Sequence, residues 1–328
     1  MNWTLLIFVV SGIALANALV HVVSASVISK FFEREPNFQV PKHEPNPLAE
    51  VVSFPTENNM ILKGSLLLQK DRKAQGVVLF CPEYGGSHWL ATKYLQALHE
   101  EGFHILGFDF RNQGESDFIE NYTPLHWLTT YEVQDTKAAV DYIRSRSELK
   151  DLPLGIFGVS RGGAAALAVG ANDSQVRCVV TEGAFCTEML SVLFTLRWAT
   201  LYMPGWMIRC VPLWHIRISL KLSRMLTQSK NHCRYVVLRN NLAGLKKTDV
   251  LLIAGEGDTY IPLSIHKEMK TRVNSDRCSL WTVPKAKHNL ARDADPQKYD
   301  ENVLKFFQTA LGTPNLMIET ETVRHFCL

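Results

Sequence analysis

A chain of 328 residues has room for one large or two average domains, and a composition 46% hydrophobic and 20% charged excludes a disordered or collagen-like chain. With 35 basic and 32 acidic residues (net charge +3) there is no block of like charge to follow a phosphate backbone, which argues against nucleic acid as a partner. The seven cysteines are odd in number and lack C-x-x-C spacing, so they read as small apolar core residues rather than a zinc or redox motif.

From Trp3 to Ile28 the chain carries no Lys, Arg, Asp or Glu and is rich in Leu, Ile, Val, Ala and Phe. At about 1.5 Å per residue this run is long enough to cross a hydrocarbon core of about 30 Å, so residues 1–30 are expected to form a single-pass transmembrane anchor. The competing reading is a cleaved signal peptide, with Ser24, Ala25 and Ser26 near the cleavage point; against it, no basic residue precedes the run. Lys30, Arg34 and Lys42 follow the run, diluted by Glu33 and Glu35, and the positive-inside rule then puts the rest of the chain on the cytoplasmic side. Residues 31–48, with Pro36, Pro41, Pro45 and Pro47, read as a stiff spacer, so that a chain beginning near Val40 is expected to be soluble and active.

Beyond the spacer the pattern changes to short apolar runs. Residues 51–54 and 61–68 are expected to form a hairpin around Glu57-Asn58-Asn59. Strands at 77–80, 103–108, 154–159, 176–180, 250–254 and 279–283 then alternate with helices at 88–100, 131–146, 162–169, 263–273 and 296–311. Nearly unbroken apolar strands are buried on both faces, and strict alternation with helices indicates a doubly wound, mostly parallel α/β sheet over residues 49–312, followed by a tail at 313–328. The alternation lapses between about residues 186 and 247, which is expected to be an inserted helical lid. Between Met189 and Leu226 the insert mixes Phe194, Trp198, Tyr202, Trp206 and Trp214 with Arg197, Arg209, Arg217, Lys221 and Arg224, and Pro204-Gly205 and Pro212 break it into short helices. Such a mixture suits a headgroup boundary, making the lipid bilayer a candidate partner; the plainer reading is that the aromatics line a pocket.

The sharpest local signal is Gly158-Val159-Ser160-Arg161-Gly162, between an apolar strand and a helix of small residues. A G-x-S-x-G turn in that position holds a serine in a strained conformation with its hydroxyl exposed at the strand end. That hydroxyl needs a base and a group to orient the base. His288 lies just past the last strand and Asp258 just past the strand before it, both at the sheet edge that carries Ser160 and in the chain order Ser, Asp, His. Glu256 is the alternative acid, while His88, His104, His126, His215 and His266 read as surface or packing residues.

With these motifs the chain resembles the α/β-hydrolase superfamily over residues 49–312. Asp109-Phe110-Arg111-Asn112-Gln113-Gly114-Glu115-Ser116 is similar to its D-x-R-G-x-G-x-S loop, with Asn112 where Gly is usual, and residues 255–262 are similar to its G-x-x-D-x-x-[VI]-P acid loop. Within the superfamily the pattern is most similar to the serine-aminopeptidase-like and monoglyceride-lipase-like branches. The resemblance implies a serine hydrolase, most simply a carboxylic ester hydrolase, whose partner is a small lipophilic acyl substrate; a serine peptidase or an inactive scaffold of the same fold are the alternatives. After residues 77–80 such proteins carry a His-Gly pair, whereas this chain has Cys81-Pro82-Glu83-Tyr84-Gly85-Gly86. The Tyr84 amide, or alternatively that of Glu83, is expected to join the Arg161 amide in an oxyanion hole. No cluster of His and acids has ligand spacing, so neither a metal nor an organic cofactor is implied.

Overall fold

The computed structural model describes residues 3–34, 40 and 42–312; the tail at 313–328, and Pro36 and Pro41 of the spacer, lie outside the described residues. A long helix α1 (Trp3–Phe32) precedes the hairpin β1 (Glu50–Pro55) and β2 (Ile61–Leu67). Alternation follows through β3 (Gly76–Cys81), α2 (Leu90–Glu100), β4 (Phe103–Phe108), α3 (Thr130–Ser145), β5 (Leu154–Val159), α4 (Arg161–Gly170) and β6 (Val176–Glu182). The insert comprises α5 (Thr187–Tyr202), α6 (Gly205–Cys210), α7 (Leu213–Lys230), α8 (Leu238–Asn241) and a 3₁₀ turn, after which come β7 (Asp249–Gly255), α9 (Leu263–Val273), β8 (Cys278–Val283), α10 (Ala291–Ala294) and α11 (Pro296–Leu311).

The eight strands lie in the order β1-β2-β4-β3-β5-β6-β7-β8, with β1 and β2 antiparallel and β3 to β8 parallel. Successive side chains of each strand point to opposite faces, and both faces are covered. Val77, Leu79 and Cys81 of β3 belong to the core cluster that includes α3, α4 and α9, whereas Val78 and Phe80 belong to the one that includes α2 and α11. The strand order reverses at β3, which has β4 on one side and β5 on the other. Loops leaving the carboxyl ends of β3 and β5 diverge there, leaving a crevice where ligands bind in open sheets of this kind.

Helix α1 runs through Ser29, Lys30, Phe31 and Phe32, across the start of the expected spacer, and its last third is docked on the lid helix α7. His21, Ala25 and Phe32, spaced to share one helix face, are buried. The His21 ring is 2.9 Å from the Ser219 hydroxyl, the Phe32 carbonyl accepts the Trp127 indole N–H at 2.9 Å, and Lys230 pairs with Glu33. Phe32 belongs to the same core cluster as β3 and α4. The remaining apolar side chains of α1, from Trp3 to Val27, are largely exposed, and the helix is long and apolar enough to cross a membrane.

Candidate active site

Glycine is required on both sides of Ser160 by space. A Cβ on Gly158 would lie 2.5 Å from the Gly162 carbonyl oxygen, and one on Gly162 would run into the carbonyls of Cys81 and Pro82. This contact between backbones lets β5 turn directly into α4. Ser160 itself has φ 50° and ψ −114°, a region that costs a non-glycine residue on the order of 1–3 kcal/mol. Two anchors hold it there. The Ser160 amide donates to the Glu182 carbonyl at 2.8 Å, and the fully buried Arg161 side chain donates to the Leu125 carbonyl at 2.7 Å and lies 3.6 Å from the Glu132 carboxylate.

Ser160 Oγ lies 3.1 Å from His288 Nε2, and His288 Nδ1 lies 2.7 Å from Asp258 Oδ2. The other Asp258 oxygen accepts the amides of Tyr260 and Ile261, both at 2.8 Å, which fixes the plane of the carboxylate. The Gly257 amide donates to the Ala286 carbonyl at 2.9 Å, so the loops carrying Asp258 and His288 are tied to each other. Glu256, the rival acid, is exposed. The structure thus brings together the three residues singled out in the sequence.

Around them lies a cavity of about 380 Å³ whose wall includes Ser160, His288, Phe185, Leu190, Phe194 and Trp198. His126 also faces it, although the sequence places that residue on the surface or in packing; burial pushes its pKa down to about 3, aided by the nearby Arg161 and His288 charges. More unexpected is a contribution from α1, whose Ile28, Phe31 and Phe32 line the same cavity.

Behind the site, the Tyr84 ring sits over the Arg161 guanidinium at 5.2 Å, while the Glu83 carboxylate reaches the Asn289 side chain. Burial raises the Glu83 pKa to about 7, partly offset by the Asn289 hydrogen bond and the His288 charge. Glu182 accepts the Tyr299 hydroxyl at 2.6 Å and the Ala291 amide at 2.8 Å, linking β6 to the segment after His288. The departure at Asn112 has a simple account: its φ is 59°, left-handed, which suits Gly and is tolerated by Asn, and its amide bonds Ile119 and Tyr122. Asp109 accepts the His88 and Glu115 amides and Arg111 pairs with Asp135, so this loop is a brace for the segment after β3. Among the described residues no group of three or more His, Cys, Asp or Glu is placed to hold a metal ion.

A family model described as the alpha/beta hydrolase fold matches residues 76–212. The uncharacterized YfhR protein of Escherichia coli is 24% identical over 276 residues, which are 81% of this chain and 83% of that one. An esterase of Pyrococcus furiosus superposes with a TM-score of 0.62 at 21% identity, covering 85% of this chain and 98% of its own. A dienelactone hydrolase of Anabaena variabilis superposes with a TM-score of 0.55 at 19% identity, covering 82% and 100%. Sheet order, elbow and these likenesses define an α/β-hydrolase fold with an inserted lid. The chain has the α/β-hydrolase fold, and residues 76–212 match the family model that describes it.

Proposed function

We propose that the protein is a membrane-anchored serine hydrolase that cleaves an acyl ester of a lipophilic substrate through an acyl-enzyme. The observation that carries this reading is the hydrogen-bonded line from Ser160 through His288 to Asp258 at the wall of an apolar cavity. In it, His288 takes the Ser160 proton as the hydroxyl attacks the acyl carbonyl and returns it to the leaving alcohol, then repeats the transfer with water. Asp258 holds the imidazole in the tautomer that presents Nε2 to serine. The negative charge of the tetrahedral intermediate falls to the Arg161 amide, at the first turn of α4 where N–H groups lack intrahelical acceptors, and to that of Tyr84. The division into anchor (1–30), spacer (31–48), catalytic domain (49–312) and tail, with the catalytic domain on the cytoplasmic side, belongs to this proposal. The test is labelling by a fluorophosphonate, with parallel assays on acyl esters and aminoacyl amides. Ester turnover and labelling, both lost in Ser160→Ala, are expected; labelling that survives at another serine, or amide turnover alone, would overturn the assignment.

A further inference from the structure

Helix α1 changes surroundings along one unbroken length. Its outward apolar side chains remain exposed as far as Val27, and the next residue, Ile28, begins a cavity wall continued by Phe31 and Phe32. Val27 and Phe31 are about 6 Å apart along a helix axis. With the exposed section in hydrocarbon, the Ser160 cavity therefore meets the bilayer at headgroup level. Across from α1 stands the lid: the Phe31 ring lies edge-on to Trp198, centroids 3.6 Å apart, and Phe194 of the same lid helix also lines the cavity. Arg34 and Arg197, both exposed, stand at this lining, where the phosphate of a bilayer lipid would meet them. The bonds of His21, Trp127 and Glu33 hold α1 in this place.

We propose that the C-terminal end of α1 is the entry wall of the acyl site, through which a bilayer lipid brings its ester to Ser160 along Ile28, Phe31 and Trp198 without crossing water. The inference rests on the hydrolase reading of Ser160. The occupant is an acyl chain because the wall is apolar and, through Phe31 one turn beyond the exposed Val27, continuous with the face of α1 that would meet lipid tails, so the chain exchanges one apolar surrounding for another and no hydration step intervenes. The anchor is thus part of the substrate site.

The experiment uses the full chain in phosphatidylcholine vesicles containing a small fraction of phosphatidylcholine with a diazirine near one acyl terminus. Photolysis is expected to give adducts at Phe31 or Trp198. These should fall at least five-fold in Ile28→Trp, which fills the mouth, or after a long-chain fluorophosphonate has blocked Ser160, whereas Val23→Trp on the exposed face of the helix leaves them unchanged. In turnover, Phe31→Ala should raise KM for a long-chain ester in vesicles about ten-fold, whereas Val23→Trp should leave that KM and the turnover of a short soluble ester unchanged. Adducts confined to the exposed residues before Ile28, or insensitive to both the block and Ile28→Trp, would overturn the entry wall. Adducts at Phe31 that are lost in Ile28→Trp while the fluorophosphonate fails to react would instead overturn the hydrolase reading and leave the entry wall standing.

Discussion

Asp258 gives one carboxylate oxygen to two backbone amides and the other to His288. An Asn there can still accept from Tyr260 and Ile261, so the loop is kept while the imidazole loses the partner that sets its tautomer. Asp258→Asn is expected to lower kcat by about 10⁴ with little change in melting temperature, and Glu256→Gln to leave kcat alone; the reverse pattern would make Glu256 the acid. Glu83 behaves differently because burial raises its pKa, from 4.5 to about 7. Between those values the native state holds more proton than the unfolded chain, so the contribution of Glu83 to stability falls as pH rises through the window and is lowest above it. Glu83→Gln cannot ionise and can still meet Asn289. Its stability advantage is expected to be small at pH 5 and to reach roughly 1–3 kcal/mol at pH 8. Denaturation in detergent at both values checks this, and an advantage independent of pH would refute it.

At the level of elements, strands β3 to β7 were legible because each is an apolar run buried on both faces, and the ends of β5, β7 and β8 place Ser160, Asp258 and His288 on one edge. What the pattern could not separate was the lid's two kinds of aromatic residue. Phe194 and Trp198 line the cavity, whereas Trp206 and Trp214 are 67% and 55% exposed, and period alone does not say which side of a short helix meets protein. The exposed pair, beside Arg209 and Arg217, suits a headgroup layer. Trp206→Ala with Trp214→Ala is therefore expected to lower turnover of a long-chain ester in anionic vesicles several-fold and to spare a short soluble ester; equal loss on both would mean that these rings support the fold. The docked part of α1 was illegible for a related reason. Valine and isoleucine serve lipid and protein contacts equally, and the sole hint was the face His21, Ala25, Ile28, Phe32, whose polar first member is unusual in an apolar span.

For the molecule as a whole, an apolar helix of 30 residues joined to a buried α/β core should keep the full chain in the membrane fraction after a high-pH carbonate wash. A chain beginning at Val40 was expected from its sequence to be soluble and active. The structure changes the second half of that expectation, since such a chain lacks Ile28, Phe31 and Phe32 and bares the Trp127 indole that bonds Phe32. It should keep activity on short esters and lose about ten-fold or more in kcat/KM on long ones; full activity on both would make α1 a tether only.

With α1 as the proposed anchor, its junction with α7 would also join the hydrolase to the mechanics of the bilayer. The stretch of α1 before the docked His21, Trp3 to Val20, spans about 26 Å as a helix, against a hydrocarbon core of about 30 Å, so in the membrane proposed above its fit would vary with bilayer thickness. A free anchor would absorb that mismatch in its linker. Helix α1 is clamped to the lid at His21 and to the core at Phe32, so moving its free section would shift Phe31 relative to Trp198. Turnover of a fixed long-chain ester should accordingly vary several-fold as vesicle lipids are lengthened from short to long acyl chains, with the Val40 truncation indifferent to the same series. The hydrolase would then be a gauge of membrane thickness, read out as rate.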